Sequence, residues 1–186
     1  MRLAKTSFRE RFLIVNNLQE QFADWVFHPG MLFQSHEKWW CGGGVRARPH
    51  EGVDLSCYRD KEGGEHYFEK DTLVPVIYQG EIRKVGKDFI GESLFVAHAF
   101  HDIKGRRLHT VYGHVSAGEG MHKGSLLREG DILGTVATPG RTSQIPAHLH
   151  ISVAFISTSL DEEHLNWGVM SDSDMVSLVD PMQIIS

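Results

Sequence analysis

Pro146-Ala147-His148-Leu149-His150-Ile151-Ser152-Val153 sets two histidines one residue apart at the head of an apolar, β-branched run. Such a run reads as a strand, and in a strand alternate side chains share a face. Same-face neighbours sit about 6.6 Å apart, so His148 and His150 can serve one site, one as a metal ligand and the other just beside it. A pair of histidines on a half-exposed strand is also an ordinary surface feature. Two clusters upstream, His50-Glu51-Gly52-Val53-Asp54 and Tyr112-Gly113-His114, change its weight.

Histidine is the feature of this composition to explain. The 186 residues hold 12 His and 19 Gly, with 41% apolar and 23% charged residues, which fits one globular domain with a full core. A net charge of -5 with no basic run argues against a surface that tracks nucleic-acid phosphates. The apolar runs are only about a strand long, whereas a membrane-crossing helix needs about 20 residues. The N-terminus lacks the layout of a signal peptide, because Phe12-Leu13-Ile14-Val15 is preceded by Arg9-Glu10-Arg11 and interrupted by Asn16-Asn17. Cys41 and Cys57 offer one pairing at most.

Along the chain, Phe8, Phe12, Val15, Phe22 and Val26 recur at multiples of three or four, and Ser7 and Glu10 have capping-box spacing. This predicts an amphipathic helix from Ser7 to Phe27, ending at His28-Pro29-Gly30 and packing its aromatic stripe on the core. Trp39-Trp40-Cys41-Gly42-Gly43-Gly44 reads as a loop folding over something, either a cleft wall or a buried aromatic corner. Residues 59 to 71 read as a solvated hairpin or loop, with His66 exposed. From Leu73 onward short strands recur between glycine-containing breaks: Val74 to Tyr78, Gly80 to Val85, Ser93 to Phe100, Leu108 to Val115 and Asp131 to Val136. That spacing predicts an antiparallel sandwich or barrel rather than βαβ units. The loop Thr138 to Ala147 then delivers the chain to His148. The tail from Leu160 to Ser186 reads as short helices or turns anchored by Trp167.

His50 and Asp54 are four apart, which on an extended strand is about 13 Å. Ligands of one zinc sit about 2.0 to 2.2 Å from the metal, so a shared ion requires the segment to bend, and Pro49 and Gly52 are the residues expected there. Hydrolytic zinc commonly takes three protein ligands and leaves a position for water, whose pKa falls toward about 7. His50, Asp54 and one histidine of the His148/His150 pair supply such a set. His98 and His114 could approach the site, and an imidazole there could take a proton from the water. His101, His109 and His122 read as structural or surface residues.

At these residues the chain resembles the lysostaphin-type zinc endopeptidases, the LytM family of peptidoglycan hydrolases. His50-Glu51-Gly52-Val53-Asp54 is similar to that family's HxGxD-type motif, read as His50 with Asp54 four residues on. Tyr112-Gly113-His114-Val115 is similar to YGHL, and His148-Leu149-His150 to HLH. Arg128 to Gly134 is similar to the segment that precedes HLH. The resemblance runs from about Pro49 to Val153. It implies an antiparallel β fold with the cleft across one sheet and one zinc per chain on His50, Asp54 and His150. It also implies that His114 and His148 polarise water and stabilise the oxyanion during hydrolysis of a peptide bond in peptidoglycan. The cell envelope or the extracellular space would be the place of action. On this reading residues 1–48 form a helix and a covering loop, 49–156 the peptidase domain, and 157–186 an extension packed on it.

A cupin-type metal site also opens with HxH, but it needs a Glu four or five positions after the second His, where this chain has Ala154 and Phe155. An amidohydrolase barrel needs about 250 residues. The rival of another class is a non-catalytic cell-wall-binding or hydrolase-activating protein of the same fold, which is expected to have lost zinc ligands. A latent enzyme, with a residue of the His36 to Cys41 loop in the open zinc position, is the third.

Overall fold

The computed structural model describes residues 3–140 and 143–186. The elements in chain order are α1 (Phe8–Val15), β1 (Phe22–Val26), β2 (Val53–Leu55), β3 (Cys57–Asp60), β4 (Glu65–Tyr67), β5 (Leu73–Pro75) and β6 (Gly80–Lys87). They continue with β7 (Glu92–His101), β8 (Arg107–Ala117), β9 (Leu126–Leu127), β10 (Ile132–Val136), β11 (Leu149–Ile156), β12 (Val176–Val179) and α2 (Met182–Ile185). Strand pairing is antiparallel throughout, as the sequence predicts.

The larger sheet runs β12-β11-β8-β7-β6-β9, with β2 on β11 and β10 bridging β8 and β5. All eight residues of β11 are buried, so both of its faces are covered. That is why it reads as a near-continuous apolar run rather than a strict alternation. A smaller sheet, β1-β3-β4, carries the hairpin of residues 57–67. One apolar cluster takes in Phe8, Phe12 and Phe22 from the N-terminal segment, Leu94 and Tyr112 from the sheet, and Ile184 and Ile185 from α2.

The predicted helix of residues 7–27 is half right. It spans only Phe8–Val15, and Phe22–Val26 is a strand paired with β3. Asn16 stops it: its side chain donates to Phe12 O and Leu73 O and accepts from Leu73 N, which ties the helix end to β5. Asn17 then takes φ 57°, the left-handed turn that follows many helix ends. The capping box does not form, because Ser7 gives both its N–H and its hydroxyl to Glu129 Oε1 instead. The aromatic stripe nevertheless packs as predicted, with Phe8, Phe12 and Phe22 all buried. In the tail, where the sequence predicts only short helices or turns, Val176–Val179 forms strand β12 by pairing with β11. Cys41 is exposed, Cys57 is buried, and both are free thiols.

Candidate metal and catalytic centre

The ladder between β2 and β11 builds the centre. Its three pairs set Leu149 opposite Leu55, His150 opposite Asp54 and Ile151 opposite Val53. Directly opposed residues share a face, so Asp54 and His150 project together, and His148, two residues earlier, projects beside them. His50 joins by the bend at Glu51-Gly52. A Cβ on Gly52 would lie 2.1 Å from the Ile151 carbonyl oxygen and 2.8 Å from His150 Nε2. The glycine is therefore there for space, letting the bend press against β11.

Three buried atoms converge. His50 Nε2 lies 3.1 Å from His150 Nδ1 and 3.1 Å from Asp54 Oδ1, and His150 Nδ1 lies 2.8 Å from Asp54 Oδ1. Tetrahedral zinc with ligands at about 2.1 Å would set such edges at about 3.4 Å, so the triangle is slightly tighter than a loaded site. Its hydrogen-bonding partners allow a proton arrangement suited to a cation. Leu32 O can only accept, so His50 holds its proton on Nδ1, 3.2 Å from that carbonyl, and turns the lone pair of Nε2 inward. His150 can donate Nε2–H to Ser152 Oγ, 2.8 Å away, which turns the Nδ1 lone pair inward. Acceptor then faces acceptor on every edge, and a cation at the centre satisfies all three. Each imidazole has its outer nitrogen held by a hydrogen-bonding partner, the arrangement usual for metal-ligating histidine.

Electrostatics agree with the donor set. Burial works against an ionised Asp54, but His50, His150 and His148 around it outweigh that and hold its carboxyl well below the usual range. Burial pushes His150 down to about 4, against the pull of Asp54, so its ring is neutral at pH 7. Metal ligands must be deprotonated in this way. The second carboxylate oxygen, Asp54 Oδ2, accepts from Trp39 Nε1 at 2.7 Å and from Arg46 at 3.5 Å. The 36–46 loop thus covers the site, with Arg46 stacked 4.4 Å over Trp40. An indole N–H has no lone pair for a metal, so Trp39 braces Asp54 and could not itself hold an ion.

His148 and His114 flank the triangle. His148 donates Nδ1–H to Pro146 O at 2.8 Å, which leaves Nε2 facing the centre, 3.9 Å from Asp54 Oδ1. Burial pushes its pKa down, against Asp54. The His114 ring centre lies 4.6 Å from that of His148. His114 reaches the site through an irregularity: β8 pairs with β7 at Tyr112 and again at Val115, and between them the register shifts and His114 takes φ 61°. A non-glycine residue at positive φ is uncommon, and histidine is among those that tolerate it. Gly113 beside it faces His150 across the ladder, and a Cβ there would meet the Trp167 ring at 2.9 Å.

These side chains line a cleft of about 200 Å³ walled by Trp40, Phe89, Ile145 and Trp167. Among the described residues, His50, Asp54 and His150 are the group of potential ligands close enough to share an ion. His98 does not come near: it is buried elsewhere, bonded to Gln79 O and Thr110 Oγ1. Sequence reasoning missed Arg46, Asp88 and Ser152. Ser152 was within reach, since it shares a strand face with His150, whereas Asp88 looks like any residue of a β-turn.

No family model matches the chain, and no curated protein is similar to it in sequence. Solved structures do resemble it. The solution structure of lysostaphin superposes over 96% of this chain with a TM-score of 0.50 at 18% identity. That alignment covers 52% of lysostaphin, so the chain spans about half its length. Looser likenesses are LytU (TM-score 0.48, 16% identity, 86% of each chain) and the catalytic domain of the prophage-encoded M23 protein EnpA from Enterococcus faecalis (0.44, 18%, 80% of this chain and 90% of that one). The chain has the lysostaphin-type fold.

Proposed function

We propose that the protein is a zinc-dependent endopeptidase that hydrolyses peptide bonds of bacterial peptidoglycan, in its cross-links or stem peptides. One zinc per chain would be held by His50 Nε2, Asp54 Oδ1 and His150 Nδ1. The observation that carries the reading is the triangle of inward-facing acceptors with two further imidazoles beside it in one open cleft. Peptide as substrate is supported by the fold and by the three motifs that resemble the lysostaphin-type peptidases.

When bound, zinc would supply Lewis-acid polarisation and lower the pKa of water toward about 7. The rest is work for the chain's own groups. His148 is neutral, with Nδ1–H fixed on Pro146 O, so Nε2 is the base that takes a proton from the attacking water. His114 lies beside it, with ring centres 4.6 Å apart, and its Nε2 would accept a hydrogen bond from the same water and help orient it for attack. The aromatic walls hold an extended backbone between them and limit water around the scissile bond. Asp54 stays a ligand because Trp39 and Arg46 occupy its outer oxygen.

The test is digestion of purified peptidoglycan, with mass analysis of the fragments and zinc measured on each protein. Asp54→Ala and His150→Ala should lose zinc and activity together. His114→Ala and His148→Ala should keep zinc yet lose about a hundredfold or more in turnover, the usual size of an acid-base contribution. Wild-type turnover in either histidine variant would remove that residue from catalysis. A zinc-loaded wild-type protein inert on every wall preparation would favour a binding or latent role.

A further inference from the structure

We infer that Asp88, braced by Ser93 and Trp167, is the positioning residue of His114, fixing which ring nitrogen faces the cleft. Asp88 lies in the β6–β7 turn, outside all three motifs, and its side chain is 1% exposed. A buried carboxylate needs a full set of donors, and this one has it. Oδ1 accepts from Ile90 N at 2.9 Å and Gly91 N at 2.7 Å, and Oδ2 accepts from Ser93 Oγ at 2.7 Å and His114 N at 2.9 Å. Burial opposes its charge, but His114 and the backbone N–H groups hold its pKa far below the usual range.

Two features tie this carboxylate to His114. The backbone bond to His114 N pins the one residue of β8 held at positive φ, so Asp88 helps maintain the turn that aims the ring. His114 Nδ1 lies 3.1 Å from Oδ2, off the line of a direct hydrogen bond, and that buried nitrogen has no other partner among the described residues. A carboxylate placed there keeps the proton on Nδ1 and leaves Nε2 to the cleft, as the buried aspartate does for the histidine of a serine-protease triad. The brace extends further: Trp167 Nε1 donates to Ser93 Oγ at 2.9 Å, and Ser93 donates to Asp88. The Trp167 ring also packs on His150, with centres 4.8 Å apart. The C-terminal segment is thereby joined to the His114 side of the cleft by a chain of partly buried hydrogen bonds.

The kinetic part of the test rests on the peptidase reading; the spectroscopic part does not. In zinc-loaded protein labelled with 15N-histidine, His114 should show its proton on Nδ1. Asp88→Asn, which turns an acceptor into a donor at this point, should shift the ring toward the Nε2–H tautomer while zinc content stays at one per chain. On peptidoglycan the same variant should lose about a hundredfold or more in kcat with KM little changed. Should Asp88→Asn fail to fold or to hold zinc, Ser93→Ala and Trp167→Phe carry the test, with a smaller tautomer shift in the same direction. An Nε2–H proton in wild-type His114, or an unchanged His114 spectrum in the folded, zinc-loaded variants, would overturn the inference. An inert wild-type protein with the expected spectra would instead overturn the peptidase reading and leave this one standing.

Discussion

Replacing Gly52 with alanine should open the candidate metal centre without touching any of the three proposed ligands. The new Cβ would stand 2.1 Å from the Ile151 carbonyl oxygen, 2.8 Å from the Ile151 carbonyl carbon and 2.8 Å from His150 Nε2. Two of these atoms are backbone of the central strand β11, buried along its whole length, so they cannot swing away. The 49–52 bend must retreat instead. It is joined to β11 through a ladder of only three pairs, one of which sets Asp54 against His150. Overpacking of this kind costs about 1 to 3 kcal/mol, which for a chain of this size lowers Tm by roughly 2 to 12 °C. The larger effect should be on metal, since moving His50 and Asp54 relative to His150 spoils a triangle with edges of 2.8 to 3.1 Å. Displacing supports of a metal ligand commonly weakens binding by about ten- to a hundredfold. The control is Gly86→Ala in β6, where an added Cβ has no atom within 4 Å. The assay is calorimetric Tm of the metal-free proteins beside zinc titration against a competing chelator. If Gly52→Ala matches Gly86→Ala in both Tm and zinc affinity, the close approach of the bend to β11 is not what builds the site.

Two further outcomes are expected away from the centre. Phe12→Ala removes a fully buried ring that packs on Trp25 and Phe68 at 5.2 and 5.3 Å between centres, and should cost about 3 to 5 kcal/mol in denaturant unfolding; an unchanged midpoint would show α1 to be a passive appendage. His98 gives a pH signature, because burial pushes its pKa down to about 4 from an ordinary value of about 6.5. The unfolded chain binds that proton below pH about 6.5 while the folded chain stays neutral until about 4. This group's share of stability is therefore complete above pH about 6.5 and is lost as pH falls to about 4, on the order of 3 kcal/mol in all. His98→Gln should flatten the stability profile of the protein across that window, and a parallel profile would refute the assignment.

The strand-rich body of the fold was legible because its apolar runs are short and broken by glycine at regular intervals. The N-terminal segment was not, for a geometric reason. Phe22 and Val26 are four apart, a separation that returns to the same face in a helix and in a strand alike, so periodicity could not distinguish the two. The break was decided by Asn16 docking on Leu73, a contact 57 residues away. His98 lies in β7, where the sequence predicts a strand, but its ring bonds Gln79 O and Thr110 Oγ1 away from the cleft, a facing that the strand pattern alone does not fix.

By itself the sequence determined that His148 and His150 share a strand face and that His50 and Asp54 can meet only across a bend. Both follow from the fixed repeat of an extended chain, which needs no knowledge of neighbours. The resemblance to a known family then named the ligands. Only the tertiary structure decided that β2 pairs with β11 in the register that opposes Asp54 and His150, since a slip of one residue would turn Asp54 to the other face. Only the tertiary structure brought Asp88, Ser93, Trp39 and Trp167 to bear on the same cleft. Asp88, Trp39 and Trp167 arrive from a turn, a loop and the tail, where nothing periodic in the chain records what they will face, and Ser93 from the start of β7.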